Sequence, residues 1–289
     1  VLSERRSPGT SAHKPTLMSQ VSPQRPRGLD QLDRDGFCIL PDVIPRKNIT
    51  AIREEVLAVV AAHRTESAPQ QVGFVPGLIN HTRCFAPYLL ESQLAVLLTA
   101  SLGAHLRISF TSAIVNEPGN QRGGWHADWP FNQTNAGHIP APYPDVRMHV
   151  TTLWMLSTFS EKNGGTLVVP ASHRRRSNPT AHIDCDAQQP LPEEIRITGE
   201  AGSVLVMDSR LWHATAANQT QDPRVALAIR YAPWWLNLEV LRPDSAERHR
   251  MCRESGRDDN RVPSVPNDVY TQLPVEVQPL FQHWRESPR

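Results

Sequence analysis

Two triplets in this 289-residue chain place a carboxylate two positions after an imidazole: His126-Ala127-Asp128 and His182-Ile183-Asp184. Residues i and i+2 of a strand project from one face, so either triplet can aim both groups at a single metal ion. With 12 histidines in 289 residues, one such match by chance is no surprise. Context separates the two. His126 follows Gly123-Gly124-Trp125 and the β-rich run Ile108–Val115. His182 sits between the polar stretches Ser177-Asn178-Pro179 and Asp186 to Pro192. The first triplet reads as a ligand pair and the second as coincidence. A third ligand is offered by His213, at the end of the apolar run that starts at Gly202. Two histidines and one carboxylate on Fe(II) leave positions open, as oxygen chemistry requires.

A lone histidine at a strand end is more often a hydrogen-bonded structural residue, and the following segment changes that balance. A turn-rich stretch, Asn218 to Pro223, leads into Arg224–Tyr231. A hairpin centred between Asn218 and Gln219 sets Arg224 directly opposite His213, with Cβ atoms ~5 Å apart on one face. Ala226 and Ala228 leave room on that face, while Val225, Leu227 and Ile229 pack the other. Thr215 reaches the same face if its strand continues. A guanidinium fork and a hydroxyl beside an open metal suit the far carboxylate of a dicarboxylate cosubstrate. Arg230, three pairs further on, is a structural or substrate contact. Trp129 and Asn132, with Trp125 and Phe131, flank the first ligands and are candidates for the mouth of the site.

The elements that must carry these residues follow from texture. Residues 1–28 are Ser-, Pro- and Arg-rich without periodicity and read as a disordered arm. Residues 29–241 form the domain. A short strand lies at Asp35–Pro41, and a helix spans Pro45–Arg64 with Ile49, Ile52, Val56 and Val59 at helical spacing. A second helix covers Leu89–Leu102, ended by Gly103. Short β-rich runs follow at Leu106–Val115, Val150–Leu156, Gly165–Val169, Ile195–Ile197, Ser203–Met207 and Val225–Tyr231. The 26 prolines argue against a helix bundle, and many short strands with polar connections indicate a sandwich or jelly roll. Residues 242–289 are a charged extension with a helical patch near Val275–Trp284. The net charge of +1 offers no field to hold a nucleic acid, and no apolar run is long enough to insert in a membrane. The four cysteines lack metal or disulfide spacing and read as free thiols of a reducing, cytoplasmic compartment. The Ser/Arg-rich N-terminus leaves an organellar address as the alternative.

Four blocks, in order, resemble the phytanoyl-CoA dioxygenase family of Fe(II)/2-oxoglutarate oxygenases. They are Asp35-Gly36-Phe37, Trp125-His126-Ala127-Asp128, the segment Glu161 to His173 ending Pro170-Ala171-Ser172-His173, and the Gly202–His213 run with Arg224 eleven residues on. The family has glycine where this chain has Ala171, and often serine where it has Thr215. The resemblance implies a mainly β, cupin-like jelly roll, the double-stranded β-helix, with flanking helices. It implies Fe(II) on His126, Asp128 and His213, and 2-oxoglutarate with its C5 carboxylate on Arg224 and Thr215. With O2 as the oxidant, the implied reaction oxidises a C–H bond and releases succinate and CO2. Similar halogenases replace the carboxylate with a small residue, so Asp128 favours hydroxylation or another oxidation. His173 reads as structural. The implied partner is a small-molecule substrate, contacted by Trp129, Asn132 and Arg230. Two other readings stay open: a jelly-roll binding protein with a vestigial metal site, and a metal-dependent cupin-like hydrolase or isomerase. Neither needs a buried arginine beside the metal.

Overall fold

The computed structural model describes residues 25–66, 68–69, 71–130, 137–181, 186–258 and 261–286. Asn132, Phe131, the His182–Asp184 triplet and residues 1–24 lie outside them. Among the described residues, nine strands form two facing sheets. β1 (Phe37–Leu40), β7 (Val204–Asp208), β4 (Val150–Met155), β9 (Arg224–Ala232), β3 (Arg107–Asn116) and β2 (Val72–Pro76) make the larger, in that order. β6 (Ile195–Arg196), β5 (Thr166–Val168) and β8 (His213–Thr215) make the smaller. All pairings within the sheets are antiparallel. This is the jelly roll the short-strand pattern implies.

Helices cover the outer face of the larger sheet. α1 (Leu29–Asp35) precedes β1, where the sequence showed only a turn, and Gly28 and Gly36 bound it. α2 (Arg46–His63) buries Ile49, Ile52, Val56 and Val60 against the sheet, while Val59 is only partly covered. α3 (Ser92–Leu102) adds Leu94, Leu97 and Leu98 to the same core, and the Glu91 carboxylate accepts hydrogen bonds from the Gln93 and Leu94 amides at its start. Each such aliphatic side chain, fully buried, contributes ~1.5–3 kcal/mol. Strand β9 divides its side chains accordingly: Val225, Leu227, Ile229 and Tyr231 face the helices, and Ala226 and Ala228 face the interior between the sheets. Both faces of the sheet are covered, so its strands read as continuous apolar runs rather than alternating ones.

The segment after residue 241 folds onto this core. α4 (Ala246–Ser255), α5 (Asn267–Thr271) and α6 (Gln278–Phe281) lead to Trp284, which is 1% exposed and donates its indole N–H to the Ile108 carbonyl. Tyr270, Leu273, Leu280 and Phe281 are buried in the same cluster. At the other end, Arg25 pairs with Asp30 and Asp33.

Candidate metal centre and cosubstrate pocket

His126 and His213 come together through their backbones. Each amide donates to the other's carbonyl, at 3.0 and 2.9 Å, in an isolated antiparallel bridge. The imidazoles lie 4.2 Å apart between ring centroids. His213 does not stand at the end of the apolar strand, as its sequence position suggested. β7 stops at Asp208, whose carboxylate accepts from the Arg210 amide and guanidinium at 2.8–3.0 Å. That turn carries the chain across to the smaller sheet, where β8 begins with His213.

Ligand atoms of His126, Asp128 and His213 lie within 4.8 Å of one another, the only such group of three among the described residues. His126 Nδ1–H donates to the Gly124 carbonyl at 3.0 Å, and His213 Nδ1–H to the Leu211 carbonyl at 2.9 Å. Both bonds fix the tautomer that leaves Nε2 as the free lone pair, as metal-bound histidines require. Burial, with His126 beside it, lowers His213 to about 4 against the pull of Asp128, so the ring is neutral at pH 7. Burial pushes the Asp128 carboxyl upward, but Arg230, the two imidazoles and the Thr151 hydroxyl together hold it well below the ordinary carboxylate range. Two imidazoles presenting Nε2 and one carboxylate fit a divalent transition ion with open positions.

One cavity between the sheets is lined by this triad and by Thr166, Thr215 and Arg224. Arg224 is 3% exposed, and its Nε donates to the Gly164 carbonyl at 2.9 Å. Its guanidinium lies 4.8 Å from the Phe159 ring centroid. No carboxylate pairs with it among the described residues, and burial alone lowers its pKa to about 9. A buried, unpaired cation is costly, and a bound anion relieves that cost.

The expected hairpin is not the route by which Arg224 reaches this cavity. β9 pairs with β3 and β4, and Arg224 stands opposite Asn116. β8 pairs with β5, where His213 is opposite Val168 and Thr215 opposite Thr166. His213 and Arg224 therefore face the cavity from different sheets. Asn218 sends the chain between them, its Nδ2 donating to the Asn116 and Asp222 carbonyls. Gly164 is needed here: its φ is +78°, and a Cβ would lie 3.1 Å from the Ala216 carbonyl oxygen and 3.2 Å from Asn116 Nδ2.

Thr215 lines the cavity as expected, and Thr166 faces it from the neighbouring strand, a residue the sequence reading missed. Period-2 pairing of β5 with β8 would have found it, but only once those strands were known to be partners. Arg230 also lines the cavity, with Nη2 bonded to Asp128 Oδ1 at 2.6 Å. Trp129 does not: it is 4% exposed and stacked on His149, centroids 5.7 Å apart. His173 is buried and bonds the Asp33 carbonyl, away from the cavity lining. Thr151, which lines the cavity, and Ser209 and His149 beyond it carried no signal in the sequence, because the segment of His149 and Thr151 meets Ser209 and Asp128 only in the fold.

The frame is thus a double-stranded β-helix that brings a two-histidine, one-carboxylate centre and a buried cation to one cavity. The phytanoyl-CoA dioxygenase (PhyH) family profile matches residues 32–226, and the chain belongs to that family. A dioxygenase of Aspergillus fumigatus is 32% identical over 133 residues, covering 45% of this chain and 38% of the fungal protein, well under half of that relative's length. The ectoine dioxygenase of Halomonas elongata is 26% identical, covering 68% of this chain and 66% of its own. Among solved structures, EctD from S. alaskensis with 2-oxoglutarate and 5-hydroxyectoine shares the fold at TM-score 0.57 and 19% identity, over 72% of this chain and 75% of the other. HygX from Streptomyces hygroscopicus, solved with nickel, 2-oxoglutarate and hygromycin B, gives TM-score 0.55 at 18% identity, over 72% and 87%.

Proposed function

We propose that this chain is an Fe(II)/2-oxoglutarate-dependent dioxygenase that hydroxylates, or otherwise oxidises, a C–H bond of a small molecule. His126 Nε2, Asp128 and His213 Nε2 hold the iron, and Arg224 with Thr215 and Thr166 holds the C5 carboxylate of 2-oxoglutarate. The observation that carries this reading is Arg224. It is a buried guanidinium without an acidic partner among the described residues, opening on the same cavity as the triad. A binding protein with a vestigial site, or a hydrolase on the same three ligands, has no use for it. Bound iron supplies the activation of O2 and of the 2-oxo acid that yields succinate and CO2. The protein's own part is to present two lone pairs and a carboxylate, fix the far end of the cosubstrate, and exclude water with Ile114, Leu153 and Ala228.

The names of the relatives support a small-molecule substrate, ectoine in two of them. Trp129, by its burial, is a wall behind the site rather than a substrate contact, while Arg230 is within reach of one. No helix among the described residues is long and apolar enough to cross a membrane. Cys38, Cys84 and Cys252 are free thiols, which suits a reducing compartment, and we place the protein in the cytoplasm.

The test is anaerobic addition of Fe(II) and 2-oxoglutarate, read by their visible charge-transfer absorption. A band in the wild type and a Kd for 2-oxoglutarate raised at least ~30-fold in Arg224→Ala are expected, from a loss of about 2 kcal/mol or more. No band, or a band that survives Arg224→Ala at equal affinity, overturns the assignment.

A further inference from the structure

Behind Asp128 runs a line of hydrogen bonds that the proposed chemistry does not by itself require. Thr151 Oγ1 lies 2.7 Å from Asp128 Oδ2, and Ser209 Oγ lies 2.8 Å from Thr151 Oγ1. His149 Nδ1 is 2.8 Å from Ser209 Oγ, and Ser109 Oγ is 2.6 Å from His149 Nε2. All five side chains are buried. They come from β3, β4 and the residue just before it, the turn after β7, and the segment entering the metal centre.

Counting protons fixes the direction of this line. An ionised carboxylate only accepts, so the single Thr151 hydroxyl proton goes to Asp128. Thr151 then accepts from Ser209, whose one proton is thereby spent. Ser209 must accept from His149, so Nδ1 carries the imidazole proton. Nε2 of the neutral ring is left to accept from Ser109. Its 2.6 Å contact outranks the 3.4 Å approach of Ser109 to the Arg230 carbonyl. Four donors in series point one way, toward Oδ2, and bonds in series in a dry interior polarise one another.

The other oxygen is held differently. Arg230 Nη2 bonds Oδ1 at 2.6 Å, and the guanidinium is braced on the Phe110 ring, 4.7 Å from its centroid. Oδ2 is the oxygen beside the histidine, 3.7 Å from His213 Nε2. The two carboxylate oxygens are therefore assigned separate tasks before a metal arrives.

We propose that Arg230 and the chain Ser109–His149–Ser209–Thr151 are positioning residues that hold Asp128 so that only Oδ2 is offered to the metal. With Oδ1 taken by Arg230, the carboxylate presents one oxygen. The positions that two histidines and one carboxylate leave open then stay open for cosubstrate and O2. Arg230 is thus chiefly a partner of Asp128. The inference rests on the proposed iron site, and its predictions concern metal affinity, not turnover.

The experiment is anaerobic Fe(II) titration of purified protein, read as Kd, alongside the 2-oxoglutarate charge-transfer band. Thr151→Val and Arg230→Gln should each raise the Fe(II) Kd ~10–100-fold, the usual effect of losing a partner of a metal ligand, and Thr151→Ser should restore it. Ser209→Ala should weaken binding less, and Ser209→Ala with Thr151→Val should be no worse than Thr151→Val alone, since links in series are not additive. A purely structural role predicts additive losses and no rescue by serine. Thr151→Val and Arg230→Gln proteins that bind Fe(II) within about threefold of wild type overturn the inference. If Thr151→Val does not fold, Ser209→Ala and Arg230→Gln decide by the same criterion. Wild type that binds Fe(II) without a 2-oxoglutarate band overturns the oxygenase reading alone, and the Kd series still decides this one. Wild type that binds no Fe(II) overturns both.

Discussion

The backbones of His126 and His213 are hydrogen-bonded to each other in both directions, at 3.0 and 2.9 Å, so the two imidazoles are adjacent whether or not a metal is bound. One ring arrives from the segment after Gly124, the other from the first residue of β8. Their Nδ1 atoms are tied to carbonyls two residues back in each case. The centre is pre-organised by main-chain contacts, and metal affinity and fold stability should separate on mutation.

His213→Gln is therefore expected to abolish high-affinity Fe(II) binding while leaving the bridge intact. Metal titration should show the loss, and the far-UV circular dichroism should match wild type. A variant that unfolds would show that the imidazole, not the backbone, holds β8 in place.

Thr166 and Thr215 face each other across β5 and β8, and both line the cavity together with Arg224. A hydroxyl bonded to a charged group contributes ~1.5–3 kcal/mol. Thr166→Val and Thr215→Val should each raise the Kd for 2-oxoglutarate about tenfold or more, with Fe(II) affinity unchanged. Equilibrium titration of the charge-transfer band checks both.

Acid should destabilise the metal-free protein. Burial lowers His149 from the ordinary 6.5 to about 3, with Arg230 adding to it, and burial lowers His283 to about 3, with Arg107 adding to it. A histidine with a depressed folded-state pKa is protonated in the unfolded chain first. Its contribution to stability is complete above about pH 6.5 and is lost as pH falls toward 3. Unfolding midpoints measured in denaturant from pH 7 to pH 4 should fall, and less steeply in His283→Phe. A flat profile would contradict the burial of these rings.

Ala171 occupies the left-handed region at φ +60°, where the resembling motif carries glycine. An L-residue there costs ~1–2 kcal/mol, partly offset by the greater unfolded-state freedom of glycine. Ala171→Gly should raise stability by about 0.5–1 kcal/mol in chemical denaturation.

Trp284 is 1% exposed and seated against β3 through the Ile108 carbonyl. Trp284→Ala should cost ~3–5 kcal/mol in the same assay. A loss under about 1 kcal/mol would show that the C-terminal segment merely rests on the core.

His126 and Asp128, the proposed ligand pair, could be picked out in the sequence because they stand two residues apart on one strand-like segment, and that spacing is a local property. The apolar runs of β4, β7 and β9 were legible for the same reason. The division of β9 into an aliphatic face and an arginine-bearing face also follows from its period of two. α1 and β2 were not legible. α1 is only seven residues long, and β2 is defined by its pairing with β3 rather than by its own pattern.

What joins the parts is decided by tertiary structure. Sequence proximity suggested that His213 and Arg224 are hairpin partners. In the fold Asp208 and Arg210 turn the chain out of one sheet, Asn218 and Gly164 organise its return, and the two residues meet across the cavity from opposite sheets. A hairpin register is set by a turn, but a sandwich is set by which faces can be buried, and the covered sheets win. The order of proton donors behind Asp128 is likewise invisible in one dimension. It exists because the fold buries Thr151, Ser209 and His149 together, so that each side chain bonds the next in line.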